Sequence, residues 1–508
     1  MKKSNRQKSM FWKPIVWKGQ PSKASATSPV SNDYALATKK KEPSFLPSTH
    51  PLVNQVENQK LRAYEVDTKA KFDNIEPLLK EILSQVDRKD FVRWANAELS
   101  AKLGVTLEDK ALELNSGSNL QFAFQNLFTK IVFEQFLSLS NNFFKEDPLD
   151  GQKTEETLKK FIDSGIHALG VAPCADGRLA HFISYVLRLP YALVRRKAHA
   201  GSLFDISESV RNWVFIEHNR YRMSVPNPAS EPTRYMKMAV YHFSKADPTH
   251  QGCAAHGSDD HKAAQAALTK LRDFRQAIEN RFGCGSTIET SLIGLNTDND
   301  SFRVHVPDHE GKVCLERYLD TEKLYDKTLK LTAEEARKEI EKAILECNFQ
   351  HHATAPQEGV KKLLAWLIEN NFSQIEYVRN YEKGCYSDIG HAERFISVGN
   401  GFEEVQLRNL SYYSYLDTLE EGVNDVDVGI KIFKGLNVKK GLPIPIIIRC
   451  NYDGRVPGSK TRAVEKAKRL EKAIKSRYQD LDAYGLIKVM GTLRDYTSFK
   501  PAEKLRTS

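Results

Sequence analysis

Three residues of metal-binding type lie near a potential acid–base pair in the middle of this chain. Cys174, Asp176 and Arg178 alternate in the segment Cys-Ala-Asp-Gly-Arg, and His242 and Cys253 follow downstream. Two thiolates and one imidazole form a suitable ligand set for Zn²⁺ that leaves one coordination position open, as in catalytic zinc sites. Structural zinc sites normally use four protein ligands, usually with a Cys-x-x-Cys pair, and this sequence contains no such pair.

Each of these residues also has an ordinary structural interpretation. A cysteine in an α/β core is more often a small buried apolar residue than a ligand. A single histidine is more often a surface residue or a satisfied core residue. The Asp and Arg at fixed offsets from Cys174 favour the joint interpretation as a zinc site.

The segments that carry these residues are predicted to alternate between helices and strands. The predicted elements are helix Thr154–Ser164, strand Ile166–Val171, strand Tyr235–Phe243, helix Asp259–Phe282 and strand Ile288–Leu295. Cys174 then lies in a loop after a strand, and His242 lies at a strand end. Ser258 is the expected N-cap of the long helix, with two acids in its first turn. The alternation indicates α/β or α+β packing.

The C-terminal part of the chain resembles a second, degenerate copy of this unit. Its predicted elements are strand Ile446–Cys450, helix Thr461–Tyr478 and strand Leu486–Leu493. Ile278–Phe282 compares with Ile474–Tyr478, and Ser291–Gly294 compares with Lys488–Gly491; a weaker echo pairs Cys174 and His181 with Cys385 and His391. Arg449 takes the position of His242, and the following loop is eleven residues shorter. We therefore expect no metal in this copy.

The N-terminal part is predicted to be a helical region preceded by a basic tail. Residues 52–147 contain an apolar helical face from Ile75 to Val86 and a long helix, Leu120–Phe144. Its core candidates are Phe122, Leu127, Ile131 and Phe136. No cluster there suggests chemistry, so an interaction or dimerisation domain is expected. We divide the chain into 1–51, 52–147, 148–395 and 396–508.

Residues 1–51 have the composition of a disordered segment. Residues 1–50 hold ten Lys or Arg and two acids, a net charge of +8, so the remaining 458 residues carry only +2 of the total +10. Phe11, Trp12 and Trp17 among these basic residues suggest a linear motif for an acidic protein partner. A solvated tail, or one that contacts nucleic acid nonspecifically, is the alternative.

The overall composition is that of a soluble globular protein. The chain has 508 residues, 41% of them hydrophobic and 28% charged. No apolar run approaches the ~20 residues of a membrane helix, and no apolar signal core follows Met1. Seven scattered cysteines do not make a disulfide framework, so we expect a reducing compartment at synthesis.

The motif around the candidate ligands resembles a known family. Cys-x-Asp-x-Arg resembles the signature of beta-class carbonic anhydrases. Cys-Ala-Asp-Gly-Arg with His-Phe-(x)₃-Asp-Pro-x-His-Gln-Gly-Cys-Ala-Ala-His-Gly-Ser-Asp-Asp resembles the carboxysome shell carbonic anhydrase family of alpha-type carboxysomes, over residues 52–508. This implies a helical N-terminal domain, an α/β (α+β) catalytic domain of beta-carbonic-anhydrase type, and a C-terminal copy that has lost its metal.

The resemblance also implies site residues. One zinc ion per chain would be bound by Cys174, His242 and Cys253, and Asp176 and Arg178 would form the catalytic pair. Beta-class enzymes commonly use His-x-x-Cys spacing, which His250 has, whereas His242 lies eleven residues before Cys253. The family pattern points to His242, and His250 stays as the alternative ligand.

The implied activity is the reversible hydration of CO₂ to bicarbonate, which inside a carboxysome supplies CO₂ to Rubisco. Zinc would lower the pKa of bound water toward about 7, and the resulting hydroxide would attack CO₂. Asp176 would accept the hydrogen bond of that hydroxide, and Arg178 would keep Asp176 ionised.

Other functions and partners follow from the same sequence. A zinc nucleoside deaminase requires His-x-Glu followed by Pro-Cys-x-x-Cys, and that pattern is missing. A non-catalytic scaffold linking Rubisco to the shell is the second candidate function. We expect Rubisco or shell proteins to bind the tail, and the chain to form a homodimer or larger homo-oligomer. A sugar-bisphosphate effector would use Arg195, Arg196 and Lys197, and the cysteines would confer redox sensitivity. No nucleic-acid or membrane partner is expected.

Overall fold

A computed structural model describes most of the chain from residue 50 onward. The described ranges are 50–114, 120–145, 159–161, 163–189, 194–223, 234–282, 288–416, 419–498 and 501–505. Residues 1–49 of the predicted disordered tail lie outside these ranges, as does most of the predicted helix Thr154–Ser164, whereas His50 and Pro51 belong to the described part.

The described chain begins with a group of helices whose apolar faces pack together. They are α1 Gln55–Asp73, α2 Ile75–Leu83, α3 Phe91–Leu103, α4 Asp109–Leu112 and α5 Leu120–Lys145. Leu127, Ile131 and Phe136 are buried as predicted. The prediction for Phe122 is wrong, because this residue lies in the first turn of α5 with its ring largely exposed beneath the Lys488 ammonium.

The central part of the chain forms a six-stranded sheet in the order β2-β1-β3-β4-β5-β6. Its strands are β1 Ala168–Pro173, β2 Val194–Arg196, β3 Tyr235–Phe243, β4 Ile288–Asn296, β5 Phe302–His305 and β6 Tyr318–Asp320. The first four are parallel to one another, and β5 and β6 are antiparallel additions. Every residue of β3 and β4 is buried, as expected where helices cover both faces of a parallel sheet.

The helices of this region are α6 Ile206–Met223, α7 Asp260–Phe282, α8 Thr321–Thr328, α9 Ala333–Gln350 and α10 Glu358–Tyr381. The predicted cap of α7 is wrong by one residue. The Asp259 carboxylate accepts the Lys262 N–H at 2.9 Å, while Ser258 has a left-handed φ of 64° and turns the chain into the helix.

The C-terminal part forms a five-stranded sheet in the order β11-β10-β9-β7-β8. Its strands are β7 Phe395–Gly399, β8 Ser411–Tyr415, β9 Ile444–Tyr452, β10 Ile487–Asp495 and β11 Glu503–Lys504. The accompanying helices are α11 Leu419–Leu436, α12 Ser459–Arg477 and α13 Gln479–Ala483. Only β11 is antiparallel within this sheet.

The architecture is therefore mixed α/β with parallel sheets and a helical N-terminal region, as predicted. Strand β1 begins and ends two residues later than expected because its limits follow its pairing with β3, from Ala168 opposite Tyr235 to Pro173 opposite Val240. Among the described residues, no helix has the length and hydropathy required to cross a membrane.

Candidate metal centre

Two neighbouring parallel strands bring the first two candidate ligands to one edge of the sheet. Cys174 directly follows β1, and its backbone N–H donates to the Val240 carbonyl of β3 at 3.1 Å. His242 lies one residue before the end of β3. Because carboxyl ends of parallel strands meet at the same edge, both side chains enter the same buried space.

Cys253 completes a cluster with Cys174 and His242. One potential ligand atom from each residue lies within 4.8 Å of the other two, and all three side chains are buried. The two sulfur atoms are 4.0 Å apart. Two thiolates bound to one tetrahedral zinc ion, with Zn–S bonds near 2.3 Å, would lie about 3.8 Å apart. The cluster therefore has the donors and the spacing that zinc requires.

The two cysteines share one hydrogen bond between their sulfur atoms. Their mutual hydrogen bond raises the pKa of Cys174 and lowers that of Cys253. The Gly201 backbone N–H also donates to Cys174 Sγ at 3.3 Å. Such an N–H is a suitable donor to a thiolate.

His242 is fully buried beside a carboxylate. Its Nε2 lies 3.2 Å from Asp176 Oδ2 and 3.3 Å from Arg178 Nη2, and its Nδ1 has no hydrogen-bond partner among the described residues. Burial lowers the pKa of His242, but Asp176 and Cys174 together outweigh burial and raise the pKa overall.

Asp176 and Arg178 form a buried ion pair at the rim of the cluster. Burial disfavours the charged carboxylate, but Arg178, His391 and His242 together outweigh burial and hold the pKa of Asp176 well below its ordinary value. Arg178 also donates through Nη1 to the Gln251 carbonyl at 2.6 Å and to its Oε1 at 3.0 Å. One guanidinium thus joins the loop after β1 to the loop that carries Cys253.

The alternative ligand, His250, does not reach this cluster. Its side chain is 80% exposed and pairs with Asp247. His181 lies 2.8 Å from Asp300, and His256 contacts the Gly201 carbonyl at 3.3 Å. Among the described histidines, His242 is the one that the structure brings together with both Cys174 and Cys253.

The C-terminal sheet contributes backbone to the site, which the sequence analysis missed. The Tyr413 N–H donates to the Ala175 carbonyl at 3.0 Å, and the Asn409 N–H donates to the Gly177 carbonyl at 2.8 Å. These bonds support the residues between Cys174 and Arg178. They join segments more than 200 positions apart, and no spacing signal in one sequence reveals such contacts.

A second pair that the sequence analysis missed lies beside the dyad. His391 Nε2 is 3.8 Å from Asp176 Oδ2, and His391 Nδ1 is 3.0 Å from Glu393 Oε1. His391 had been singled out only as a weak echo of His181. The spacing His-Ala-Glu is the local sequence signal for the contact between His391 and Glu393.

The candidate effector residues have different environments. Lys197 forms an ion pair with Glu208. The Arg196 guanidinium is buried and lies 4.8 Å from the Tyr413 ring centroid, and none of its nitrogens has a hydrogen-bond partner among the described residues. The side chain of Arg195 lies outside the described residues.

Three family models together match nearly the whole chain. The description "Carboxysome Shell Carbonic Anhydrase, N-terminal" matches residues 50–144, "catalytic domain" matches 156–391, and "C-terminal" matches 392–508. All five candidate site residues lie in the range matched by the catalytic domain.

Curated relatives carry the same family name. The chain is 62% identical to the carboxysome shell carbonic anhydrase of Hydrogenovibrio crunogenus, over 99% of this chain and 97% of that protein. It is 47% identical to that of Prochlorococcus marinus (strain MIT 9313), over 88% of this chain and 86% of that protein. It is 43% identical to that of Halothiobacillus neapolitanus, over 90% of each protein.

Proposed function

Because this chain belongs to the carboxysome shell carbonic anhydrase family, we propose that Cys174, His242 and Cys253 bind its single zinc ion. The protein is a carbonic anhydrase of the carboxysome, catalysing the reversible hydration of CO₂ to bicarbonate. The observation that carries the zinc proposal is the buried Cys-His-Cys cluster beside the Asp176–Arg178 pair.

The donors fit zinc in type, number and spacing. Two thiols and one imidazole leave one position of a tetrahedral ion open, and their sulfur atoms are separated by 4.0 Å. A zinc ion held by these residues would lower the pKa of a bound water toward about 7 and so would supply a nucleophile near neutral pH. The Gly201 N–H would donate to the Cys174 thiolate formed when zinc binds.

The protein's own contribution to the reaction lies in the Asp176–Arg178 pair. Arg178 keeps Asp176 ionised, so the carboxylate accepts and orients a hydrogen bond from the reacting oxygen. The Arg178 guanidinium donates one hydrogen bond to each carboxylate oxygen of Asp176 and thereby keeps Asp176 from acting as a metal ligand. Arg178 also positions the Gln251–Cys253 segment.

Metal content and hydration activity test this proposal together. The purified full chain should contain one zinc per chain and hydrate CO₂, and Cys174→Ser should lose both. Cys347→Ser, which changes a buried cysteine of α9 outside the cluster, is the matched control and should keep both. Full zinc occupancy in Cys174→Ser would show that the ligand set is wrong.

A purely non-catalytic scaffold function accounts for fewer of the structural observations than an enzymatic function does. The scaffold alternative rests on the basic tail, whereas the catalytic-domain match and the Cys-His-Cys cluster lie in the folded part. We retain a tethering role for the tail: residues 1–51 would bind Rubisco or a shell protein, so that the enzyme supplies CO₂ to Rubisco in the same compartment.

The two sheets support a duplicated fold of beta-carbonic-anhydrase type. The order β2-β1-β3-β4-β5 has its equivalent in β8-β7-β9-β10-β11, with the last strand antiparallel in each. His242 pairs with Leu295, which follows Gly294, and Arg449 pairs with Thr492, which follows Gly491. We propose that the C-terminal half is a copy whose metal ligand was replaced by Arg449.

The proposed divisions are a tail (1–51), a helical domain (52–147), a catalytic domain (148–395) and a C-terminal domain (396–508). The matched ranges 50–144, 156–391 and 392–508 support this order. We further propose a homodimer or larger homo-oligomer, which sedimentation of the purified chain will test.

A sugar-bisphosphate effector and a redox switch remain proposals about regulation. The buried guanidinium of Arg196, which has no hydrogen-bond partner among the described residues, supports an anion site, whereas Lys197 is already paired with Glu208. The test is a hydration assay with and without ribulose bisphosphate, under reducing and oxidising conditions. Equal rates in all four states would exclude both switches.

A further inference from the structure

Two neighbouring helices of the C-terminal part cover the same face of the five-stranded sheet. Helix α11 joins β8 to β9, α12 joins β9 to β10, and these strands all run parallel. Two right-handed crossovers that proceed in the same direction along a sheet place their helices on one face. The Arg477 guanidinium of α12 donates to the Asp427 carboxylate of α11 at 2.7 Å, so the two helices lie side by side.

Each helix buries its apolar side and exposes cations on its outer side. Val426 and Phe433 of α11 and Ala467 and Leu470 of α12 are buried beneath the helices. Six exposed cations form the outer surface, which we call the basic layer. They are Lys431 and Lys434 of α11 and Arg462, Lys468, Arg469 and Lys472 of α12. Within the described part of the chain, none of the six belongs to an ion pair.

Positive charge is concentrated on this side of the molecule. Helix α12 contains eight Lys or Arg and two Glu, a net charge of +6, whereas residues 51–508 together carry only +2. The other 439 of those residues therefore carry −4. Asp427 and Glu471 are already paired with Arg477 and Lys475, so of the exposed side chains described on the two helices only Glu465 opposes the layer.

The spacing of these cations is unfavourable for helices that face only water. Lys468 and Lys472 are four residues apart and Lys431 and Lys434 are three apart, so like charges are neighbours on each helix surface. Such pairs destabilise a helix, and solvated helices normally mix both signs. Carboxylates of a partner would convert this repulsion into attraction. From Arg462 to Lys472 the layer extends about 15 Å along α12, a length that suits a protein surface better than one small anion.

Other classes of partner require features that the described side chains of α11 and α12 lack. Single-stranded nucleic acid binds to exposed aromatic side chains, whereas Phe433, the aromatic residue of these two helices, is buried. Binding to a membrane surface requires exposed large apolar side chains that enter the bilayer. None of the exposed large apolar residues in the described part of the chain lies in either helix. An acidic protein surface therefore fits the layer best.

We propose that the basic layer docks against an Asp- and Glu-rich face of another carboxysome protein. Ammonium and guanidinium groups form charge-assisted hydrogen bonds with carboxylates, and complementary charge steers such partners together. The layer belongs to the folded part of the chain and adds a second contact to the proposed binding of the tail. Two linked contacts hold a protein more tightly than either contact alone. This inference goes beyond the proposed catalytic function, because it concerns the attachment of the enzyme.

Cross-linking in intact, purified carboxysomes tests the docking directly on the full chain. A carbodiimide joins lysines only to carboxylates that touch them, so mass spectrometry of the products identifies the contacts. Lys431, Lys434, Lys468 and Lys472 should be joined to Asp or Glu of another carboxysome protein. The exposed Lys60, Lys89 and Lys110 of the N-terminal region serve as references and should form fewer such links. Links of the layer that stay within the chain, or that join two copies of it, would overturn the proposal.

Charge reversal tests whether the contact matters for attachment. The variant Lys468→Glu/Arg469→Glu/Lys472→Glu should bind the cross-linked partner roughly 10-fold or more weakly, since it removes one of two linked contacts. The control Lys60→Glu/Lys89→Glu/Lys110→Glu changes the net charge equally and should bind like the wild type. The conservative variant Lys468→Arg/Arg469→Lys/Lys472→Arg keeps the charge and should also bind normally. Melting temperatures and zinc content show that each variant is folded.

The outcomes separate docking from catalysis. All three variants should retain the CO₂ hydration activity of the wild type, because the layer contains none of the proposed site residues. An equal loss of binding in the layer variant and its control would show an effect of net charge alone and would overturn the proposal. Binding that disappears after nuclease treatment would assign the layer to nucleic acid and would also overturn it. Wild-type protein that binds zinc without hydrating CO₂ would instead overturn the proposed function.

Discussion

Arg178 binds Asp176 through two parallel hydrogen bonds, from Nε to Oδ1 at 3.0 Å and from Nη2 to Oδ2 at 2.8 Å. Both side chains are buried. A bidentate guanidinium–carboxylate pair fixes orientation as well as charge, and lysine cannot reproduce its geometry. The pair therefore explains why an acid and an arginine two positions apart accompany the metal ligands.

Replacing Asp176 by Asn should slow the reaction while leaving zinc bound. The change removes the charged acceptor but keeps the shape, so we expect kcat/KM to fall by roughly 10²-fold or more. Stopped-flow CO₂ hydration and elemental analysis measure the two effects. Asp273→Asn, at an exposed position of α7, is the control. Wild-type turnover in Asp176→Asn would remove this residue from the mechanism.

The two candidate histidine ligands should respond oppositely to substitution. His242→Ala should abolish zinc binding, because it removes a buried donor between Cys174 and Cys253. His250→Ala should retain zinc, because that side chain points to solvent and pairs with Asp247. The zinc content of the two purified variants shows which histidine is the ligand. Loss of zinc only from His250→Ala would assign the ligand to His250 instead of His242.

Sequence reasoning named the residues that the strands bring together, although the family resemblance, and not the spacing, favoured His242 over His250. The Tyr235–Phe243 strand was predicted to the residue, and it carries His242. The supporting contacts were missed because they come from distant segments. Tyr413 reaches Ala175 from the other sheet, and Glu393 reaches Gly177 across 216 positions. Such contacts depend on how the two sheets pack, which a single sequence does not encode locally.

The C-terminal half should bind no metal and should depend on the Arg449 ion pair. Arg449 and Glu404 are both fully buried and paired. Arg449→Ala leaves a buried carboxylate unpaired, so we expect a loss of about 3–5 kcal/mol in unfolding free energy. Denaturant unfolding measures it, with Lys439→Ala at an exposed position as control.

The double variant Arg449→Ala/Glu404→Ala should recover part of that loss, because it removes the unpaired charge. Zinc should remain at one per chain in all of these variants that fold. Within the described residues, neither Cys385 nor Cys450 belongs to a potential metal cluster. A second zinc bound near either cysteine would contradict the proposed loss of the site.

Deleting the tail should separate packaging from catalysis. The deletion should end at residue 49, because His50 is buried, contacts Thr328 at 3.0 Å and stacks on Tyr325. We expect the shortened chain to keep its hydration activity and lose incorporation into carboxysomes. Since the removed segment carries a net charge of +8, binding of the full chain to Rubisco or shell protein should weaken steeply with salt. Binding that does not change with salt would assign the interaction to the aromatic residues alone.

Stability at acid pH should depend on Asp300, which joins three parts of the fold. Its carboxylate is fully buried and pairs with His181 after β1, Gln374 of α10 and Arg408 before β8. Burial raises the pKa of Asp300, but Arg408 and His181 outweigh it and lower the pKa below its ordinary value. A carboxyl with a lower pKa in the folded state stabilises the fold above its unfolded pKa and loses that effect as pH falls toward the folded value. Asp300→Asn should therefore cost about 3–5 kcal/mol at pH 7 and progressively less below about pH 5. Urea unfolding of wild type, Asp300→Asn and the exposed control Asp273→Asn across this pH range measures the loss of unfolding free energy. A loss that does not change with pH would show that Asp300 stabilises the fold through packing rather than charge.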